Sequence, residues 1–265
     1  NFIYRKLYHI EVARMNDYYL VRSGRDGQPR SYLFPSGSGD VKPVIDALST
    51  DAALRGEPLV MSGVTKESVA ALETLFPGRF TFEETRDHFD YIYESEKLIT
   101  LSGKKLHSKR NFINRFQAEH EGGWSFEAIT PENIAECWSM NTRWCEQNGC
   151  GEDPSLMEEL CAVRNCFENF SALGLRGGLL RVDGRVVAYT MGLPLNSDTF
   201  IVHIEKAFSD VAGAYPMINR EFAAYNCADF KYVNREDDVG DEGLRRAKLS
   251  YKPAILLEKF IVTEQ

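Results

Sequence analysis

The sequence predicts an α/β protein whose mixed, mostly antiparallel sheets are flanked by helices. Three observations predict this class. Runs alternating with period two and rich in Val, Ile, Tyr and Phe interleave with segments whose apolar residues recur at helical spacing. Two Asp-Gly dipeptides, Asp26-Gly27 and Asp183-Gly184, each separate strand-like runs and suit tight hairpin turns. Thr130-Pro131 and Asp153-Pro154 pair a capping side chain with a proline at the first helical position, where its missing N–H costs nothing.

In chain order, YYLVR and SYLF form the first hairpin across Gly24 to Gln28. A helix follows from Asp40, and then a strand near Leu59 to Met61. Thr65 caps a helix with Val69, Leu72 and Phe76 on one face and Gly78 beyond its end. HFDYIYE alternates Phe89, Tyr91 and Tyr93 against His88, Asp90 and Ile92, a strand with one aromatic face. The second half opens with two helices, striped by Ile134, Trp138 and Cys145 and by Leu156, Leu160, Phe167 and Phe170. Strands around GGLLRV, RVVAYTMGL and TFIVHIEKAF come next, followed by a helix from about Ala212 to Cys227 and the strand FKYVN. A short basic helix and a last strand, AILLEKFIV, complete the order. This sequence of elements is an α/β arrangement with a mixed sheet. The repeated Asp-Gly hairpin suggests an internal duplication, with domains at 1–103 and 104–265.

Composition narrows the function. A chain of 265 residues, 43% hydrophobic and 26% charged, carries an ordinary globular core. A net charge of -8 excludes a protein coated with basic surface for nonspecific nucleic-acid binding, so any RNA or phosphate contact is local. The six cysteines form no CxxC pair and have no zinc-type His spacing, and are expected to be reduced structural thiols. No apolar run approaches the roughly 18 residues a bilayer span needs. The chain as given is therefore expected to be soluble and cytoplasmic, without a transmembrane segment. There is no GxSxG elbow, P-loop, dinucleotide fingerprint or HExxH.

Two charge patterns point to a site. In NREDDVGDEGLRRAKLSYKP, the acids Glu236, Asp237, Asp238 and Asp241 precede a helix carrying Arg245, Arg246 and Lys248, in agreement with the helix dipole. Leu244, Ala247, Lys248 and Tyr251 share one face, so Lys248 points to the core side. A cation there needs a carboxylate or a bound anion, and the expected partner is Glu205 or an acid of the loop 236–238. Consecutive acids rarely converge on one ion, so no metal is expected. The second pattern, Lys97 to Arg115, holds six cations and no acid. Read as a helix from Lys104, it places Lys109 at the centre of an apolar face with Leu106, Phe112, Ile113 and Phe116, and Lys105 at its edge. Lysines snorkelling to water, or a cationic cleft wall built from Lys105, Lys109 and Arg110, are the two readings. In TFIVHIEKAF, alternation groups Ile201, His203 and Glu205 against Phe200, Val202 and Ile204.

The segments YIYESEKLITLSGKKLHSKRNFINRF, HIEKAFSDVAGAYPMINREF and NREDDVGDEGLRRAKLSYKP together resemble the phosphatidylglycerol lysyltransferase C-terminal domain family. The resemblance runs over nearly the whole chain. It implies two tandem GNAT-like, Fem-like domains, and the second half matches the GNAT order of elements. It also implies an acyltransferase, with aminoacyl transfer from a charged tRNA to an amine, hydroxyl or lipid-headgroup acceptor. The alternatives are an acyl-CoA-dependent N-acyltransferase and a non-catalytic module for tRNA ends or anionic metabolites. Glu205 matches the family's motif as base or ammonium clamp, with His203 second and a structural salt bridge of Glu205 to Lys248 or Arg235 as the competing reading. Lys248 and Tyr251 are assigned to developing negative charge, and Gly213, Asn219, Asn234, Arg235 and Asp238 to substrate binding. No cofactor is certain. Acyl-CoA is the candidate, with Gly213 at the position of the glycine-rich turn, although Asp210 and Tyr215 stand where that turn's own residues belong.

Overall fold

The computed structural model describes residues 2–265. Its elements begin with α1 (Arg5–Tyr8), β1 (Glu11–Met15), β2 (Tyr18–Ser23), β3 (Ser31–Leu33), β4 (Ser36–Gly37) and α2 (Lys42–Ala53). There follow β5 (Val60–Thr65), α3 (Lys66–Leu75), β6 (Phe80–Glu84), β7 (Asp90–Glu94), α4 (Ser95–Thr100), α5 (His107–Glu119) and β8 (Trp124–Ala128). Next are α6 (Ile134–Asn148), α7 (Pro154–Glu168), β9 (Arg176–Val182), β10 (Arg185–Pro194) and β11 (Thr199–Ala207). The last elements are α8 (Ala214–Asn226), β12 (Tyr232–Asn234), α9 (Glu242–Ser250), β13 (Ile255–Leu257) and β14 (Lys259–Glu264).

Contacts divide the chain into two compact units, one running to Phe89 and including Leu257–Gln265, the other Asp90–Leu256. The boundary expected between residues 103 and 104 is displaced. The reason lies in strand pairing: β7 joins the second unit's sheet and β14 the first's. AILLEKFIV, expected as one strand, is two, with β13 beside β7 and β14 between β5 and β6.

The first unit's sheet has the order β1-β2-β3-β5-β14-β6, with β4 on β2. The expected hairpin closes with Arg22 opposite Tyr32 and Ser23 opposite Ser31. Pro43 opens α2, and the Thr65 hydroxyl caps α3 by accepting from the Ser68 N–H at 3.3 Å. Both helices lay apolar stripes on the sheet, forming a core of Ile45, Leu48, Met61, Val64, Leu72, Phe80 and Val262.

The second unit's sheet has the order β13-β7-β12-β11-β10-β9-β8. Asp153 caps α7 as expected, accepting from the Ser155 N–H at 2.8 Å. α6 begins later than Thr130-Pro131 suggests, because Asn133 folds back to accept from the Thr130 N–H at 2.8 Å and closes a separate turn. Two features of β11 position the site. It runs parallel to β12 only from Thr199 to Ile201, after which β12 stops at Asn234 and β11 continues to Ala207. Its pairing with β10 also skips His203, since Met191 faces Ile204 while Gly192 faces Val202. A Cβ at Gly192 would collide with the Ile201 carbonyl, so the irregularity needs glycine.

Candidate active site

The skipped residue breaks the simple alternation expected in β11. Phe200 and Glu205 belong to opposite faces of a regular strand, yet Phe200 packs on Phe222 of α8 and Glu205 accepts from Asn219 of the same helix. Lys206 meets Glu159 of α7 at 2.6 Å and the Trp144 ring of α6 at 3.7 Å. Glu205 thus enters the space left where β11 outruns β12.

Arg235, the first residue after β12, fills that space from the other side. Its Nη2 donates to Glu205 Oε1 at 2.8 Å, and both side chains are nearly nine-tenths buried. Asn219 Nδ2 donates to the second oxygen, Oε2, at 3.1 Å. The structure therefore bears out the salt-bridge alternative for Glu205. Burial opposes the charge on Arg235, but Glu205, Tyr93 and Tyr251 outweigh it and raise its pKa. The guanidinium carbon lies 5.0 Å from the centre of the Tyr251 ring and 5.7 Å from that of Tyr93. Lys109 of α5 places Nζ 4.2 Å from the centre of the Tyr251 ring. Burial, and then the Arg235 charge, lower the Lys109 pKa against the pull of Glu205.

Donors outnumber acceptors here. Arg235 Nη1 is buried without a hydrogen-bond partner. Lys109 Nζ and the Tyr251 hydroxyl have none among the described residues. The one buried acceptor left over is Asn219 Oδ1. A buried N–H without a partner costs about 1–3 kcal/mol, more when charged, and an incoming oxyanion or carboxylate relieves it.

Lys248 is buried as expected, but its partner is not a carboxylate. Nζ donates to the backbone carbonyls of Arg235 at 2.7 Å, Glu236 at 3.3 Å and Asp237. Carbonyl dipoles replace the expected counter-ion because Glu236 and Val239 adopt left-handed φ, curling the loop's backbone onto the lysine. Burial, and then Arg235, push its pKa down to about 8 despite the loop acids and Glu205. Lys248 thereby fixes the backbone that carries Arg235.

Other predicted residues have different partners. His203 Nδ1 lies 2.9 Å from Glu236 Oε1, a pair separate from Glu205's bonds. Asp238 is fully buried and accepts from Arg245 at 2.8 and 3.0 Å, from the Tyr91 hydroxyl at 2.5 Å and from the Gly240 N–H at 3.0 Å. Burial alone would raise its pKa, but these bonds hold the carboxyl well below the usual carboxylate range. Asn234 bonds Asp90 at 3.0 Å and the Glu236 N–H at 2.7 Å, bracing the turn. Arg110 donates to the carbonyls of Leu101 and Gly103, ending α4, and Lys105 is exposed. The basic segment 97–115, across which the domain boundary was expected, lies inside the second unit, with α4 and α5 packed on α8. Phe112, expected on its apolar face, is 47% exposed.

Gly213 is explained by packing. With φ +83°, its Cβ position lies 2.5 Å from the Phe112 carbonyl oxygen, so α5 covers the start of α8. Ala214 uses its N–H on the Val211 carbonyl at 3.1 Å, and Pro216 has none. A pyrophosphate cradle of helix N–H groups does not fit these residues. No cluster of metal-ligating side chains occurs among the described residues, and no helix there is long and apolar enough to cross a membrane. Two features escaped sequence reasoning. Tyr93 borders Arg235, and its signal was the aromatic face already visible in HFDYIYE. Cys145 and Cys150 form a disulfide across the end of α6, correcting the reading of six reduced thiols, and nothing in their spacing announced it.

Comparison with known proteins places this geometry in context. The family model "Phosphatidylglycerol lysyltransferase, C-terminal" matches residues 2–263. A conserved protein of unknown function from Bacteroides thetaiotaomicron is 41% identical, covers 99% of this chain and 88% of its own, and superposes with a TM-score of 0.96. L-PGS from Bacillus licheniformis is 16% identical, with 96% of this chain and 83% of its own covered and a TM-score of 0.65. FemX is 11% identical over 97% of this chain and 89% of its own, again at 0.65. An uncharacterised protein from Mycoplasmoides gallisepticum is 25% identical over 176 residues, 65% of this chain, and the match spans only 55% of that relative. The fold is the tandem GNAT-like, Fem-like one, mixed sheets flanked by helices.

Proposed function

The chain belongs to the phosphatidylglycerol lysyltransferase C-terminal family, and from that premise we propose that it transfers an aminoacyl group from a charged tRNA to an amine or hydroxyl acceptor. The observation that carries this reading is the set of donors without acceptors around Tyr251. The acceptor's N or O attacks the ester carbonyl, a negative oxygen forms, and the ester C–O bond to the tRNA ribose breaks. The acceptor's proton ends on the ribose oxygen. The Tyr251 hydroxyl, backed by Lys109 and Arg235, is a fitting donor to the oxygen that becomes negative. Glu205, bonded on both oxygens, holds Arg235 in place and is not a base in this scheme; Asn219 steadies Glu205. The poor cradle at α8 weighs against acyl-CoA as donor.

The test is a single-turnover assay with a pool of charged tRNAs and pooled amine, hydroxyl and lipid acceptors. Loss of the 3′ ester with matching gain on an acceptor is expected, slowed about 10²-fold or more in Tyr251→Phe. Transfer from acyl-CoA with none from tRNA would overturn the donor assignment. The buried Glu205–Arg235 bridge favours a second reading, a non-catalytic module for tRNA ends or anionic metabolites. Salt-sensitive tRNA binding without any turnover would establish that reading instead.

A further inference from the structure

The charge balance of this cluster bears on which group it accepts. Its carboxylate, Glu205, has Oε1 occupied by Arg235 and Oε2 by Asn219. Each oxygen already carries a hydrogen bond, and the carboxylate's charge is paired with Arg235. The groups left over are three donors, Arg235 Nη1, Lys109 Nζ and the Tyr251 hydroxyl, two of them cationic, against one neutral acceptor, Asn219 Oδ1. Lys248 adds a third cation behind Arg235, hydrogen-bonded to backbone carbonyls and to no carboxylate. A lysyl or arginyl side chain would meet like charge here, whereas a carboxylate would find the acceptor-seeking groups it complements.

We infer that the site selects an acidic acyl group, one whose side chain ends in a carboxylate, and rejects cationic ones. The inference rests on the aminoacyl-transfer reading for the identity of the carrier, but the carboxylate subsite itself does not. Carboxylate is favoured over phosphate because a planar carboxylate matches the planar guanidinium of Arg235, whose Nη1 is left without a partner. The shared anion chemistry leaves inorganic phosphate as the control.

Calorimetric titrations of the intact chain with glutarate, cadaverine and inorganic phosphate measure the subsite directly. Glutarate is expected to bind, with affinity falling about tenfold or more in Lys109→Gln and less in Tyr251→Phe, as loss of a charged hydrogen bond implies. Lys109→Met, which keeps the stem over the Tyr251 ring, should lose the same affinity while melting like the parent, which separates charge from folding. Cadaverine binding as tightly as glutarate, phosphate competing on equal terms, or glutarate binding indifferent to both Lys109 variants would each overturn the inference. Parallel transfer assays with glutamyl-, aspartyl-, alanyl- and lysyl-tRNA separate the two claims. Preference for lysyl transfer keeps the transferase reading and overturns this one; glutarate binding that depends on Lys109, without transfer from any tRNA, does the reverse.

Discussion

Each unit contains an arginine–carboxylate–tyrosine cluster, and the two are built to opposite ends. In the first unit Arg22 joins Glu11 at 2.7 Å and Asp51 at 2.8 Å, Arg30 joins Glu11 at 3.0 Å, and Arg55 joins Asp51 at 2.8 Å. The Tyr32 hydroxyl donates to Asp51 and accepts from Arg55. Its two atoms without a hydrogen bond, Arg55 Nε and Glu57 Oε2, lie 3.6 Å apart with opposite charge. That cluster is closed. In the second unit Arg235, Lys109 and Tyr251 are left with donors that Glu205 does not satisfy. Closed charge networks hold strands together, while an open one is matched to something that arrives. Because the closed cluster is the more exposed, with Glu11 and Asp51 about half accessible, stability and function divide between the units differently from what ion-pair counts suggest.

The largest expected effect tests that division. Arg235→Leu breaks the ion pair of the buried Glu205, leaving it the Asn219 hydrogen bond, and should cost about 3–5 kcal/mol in urea melts at neutral pH. Arg22→Leu removes two ion pairs to half-exposed carboxylates and should cost only about 1 kcal/mol. Equal losses, or the reverse order, would break the comparison.

Much of the open cluster was legible in the sequence, and its chemistry was not. Lys109 and Tyr251 stood out by their place on apolar helix faces, and Glu205 and Arg235 through the family resemblance. Which partner each finds depends on backbone that has no local signature. Lys248 shows this: its burial followed from helical spacing, but its carbonyl cage depends on left-handed φ at Glu236 and Val239, residues that rarely adopt it. The faces of β11 were misassigned for a similar reason, since one skipped residue in the pairing with β10 reverses the alternation. The unit boundary was missed because β7 and β14 are ordinary strands, and propensity does not say which sheet a strand joins.

A middle-sized effect sharpens the comparison through pH. Lys248 has a native pKa of about 8 against an ordinary 10.5, so above pH 8 the native chain releases a proton that the unfolded chain still holds. Stability therefore rises with pH in that window. Between pH 8 and 10 the parent should gain on the order of 2–3 kcal/mol relative to Lys248→Met, tyrosine ionisation being common to both chains and cancelling in the difference. In the closed cluster, burial lowers and hydrogen-bonded carboxylates raise the arginines, with a net upward shift, and Asp51 is held down chiefly by Tyr32. None of these groups titrates in the window. A flat difference curve would mean that Lys248 is solvated and that the backbone carrying Arg235 is not anchored by it.

The smallest effect asks whether the open cluster has a rival anion site at the start of α8. Gly213 and Gly78 of the first unit have similar left-handed backbones, φ +83° and +72°, but a methyl on Gly78 meets nothing within 4 Å. Gly78→Ala therefore measures backbone strain alone, about 1 kcal/mol. Gly213→Ala adds the collision with the Phe112 carbonyl and with Phe116 Cβ at 3.0 Å, and should cost about 1–2 kcal/mol more in the same thermal melts. That excess is the signature of α5 lying on the helix start. If the two variants melt alike, α5 is loosely held there and the N–H groups of α8 are open to a phosphate. Acyl-CoA would then regain its place as donor, and the unsatisfied donors around Tyr251 would no longer be the strongest anion site in the second unit.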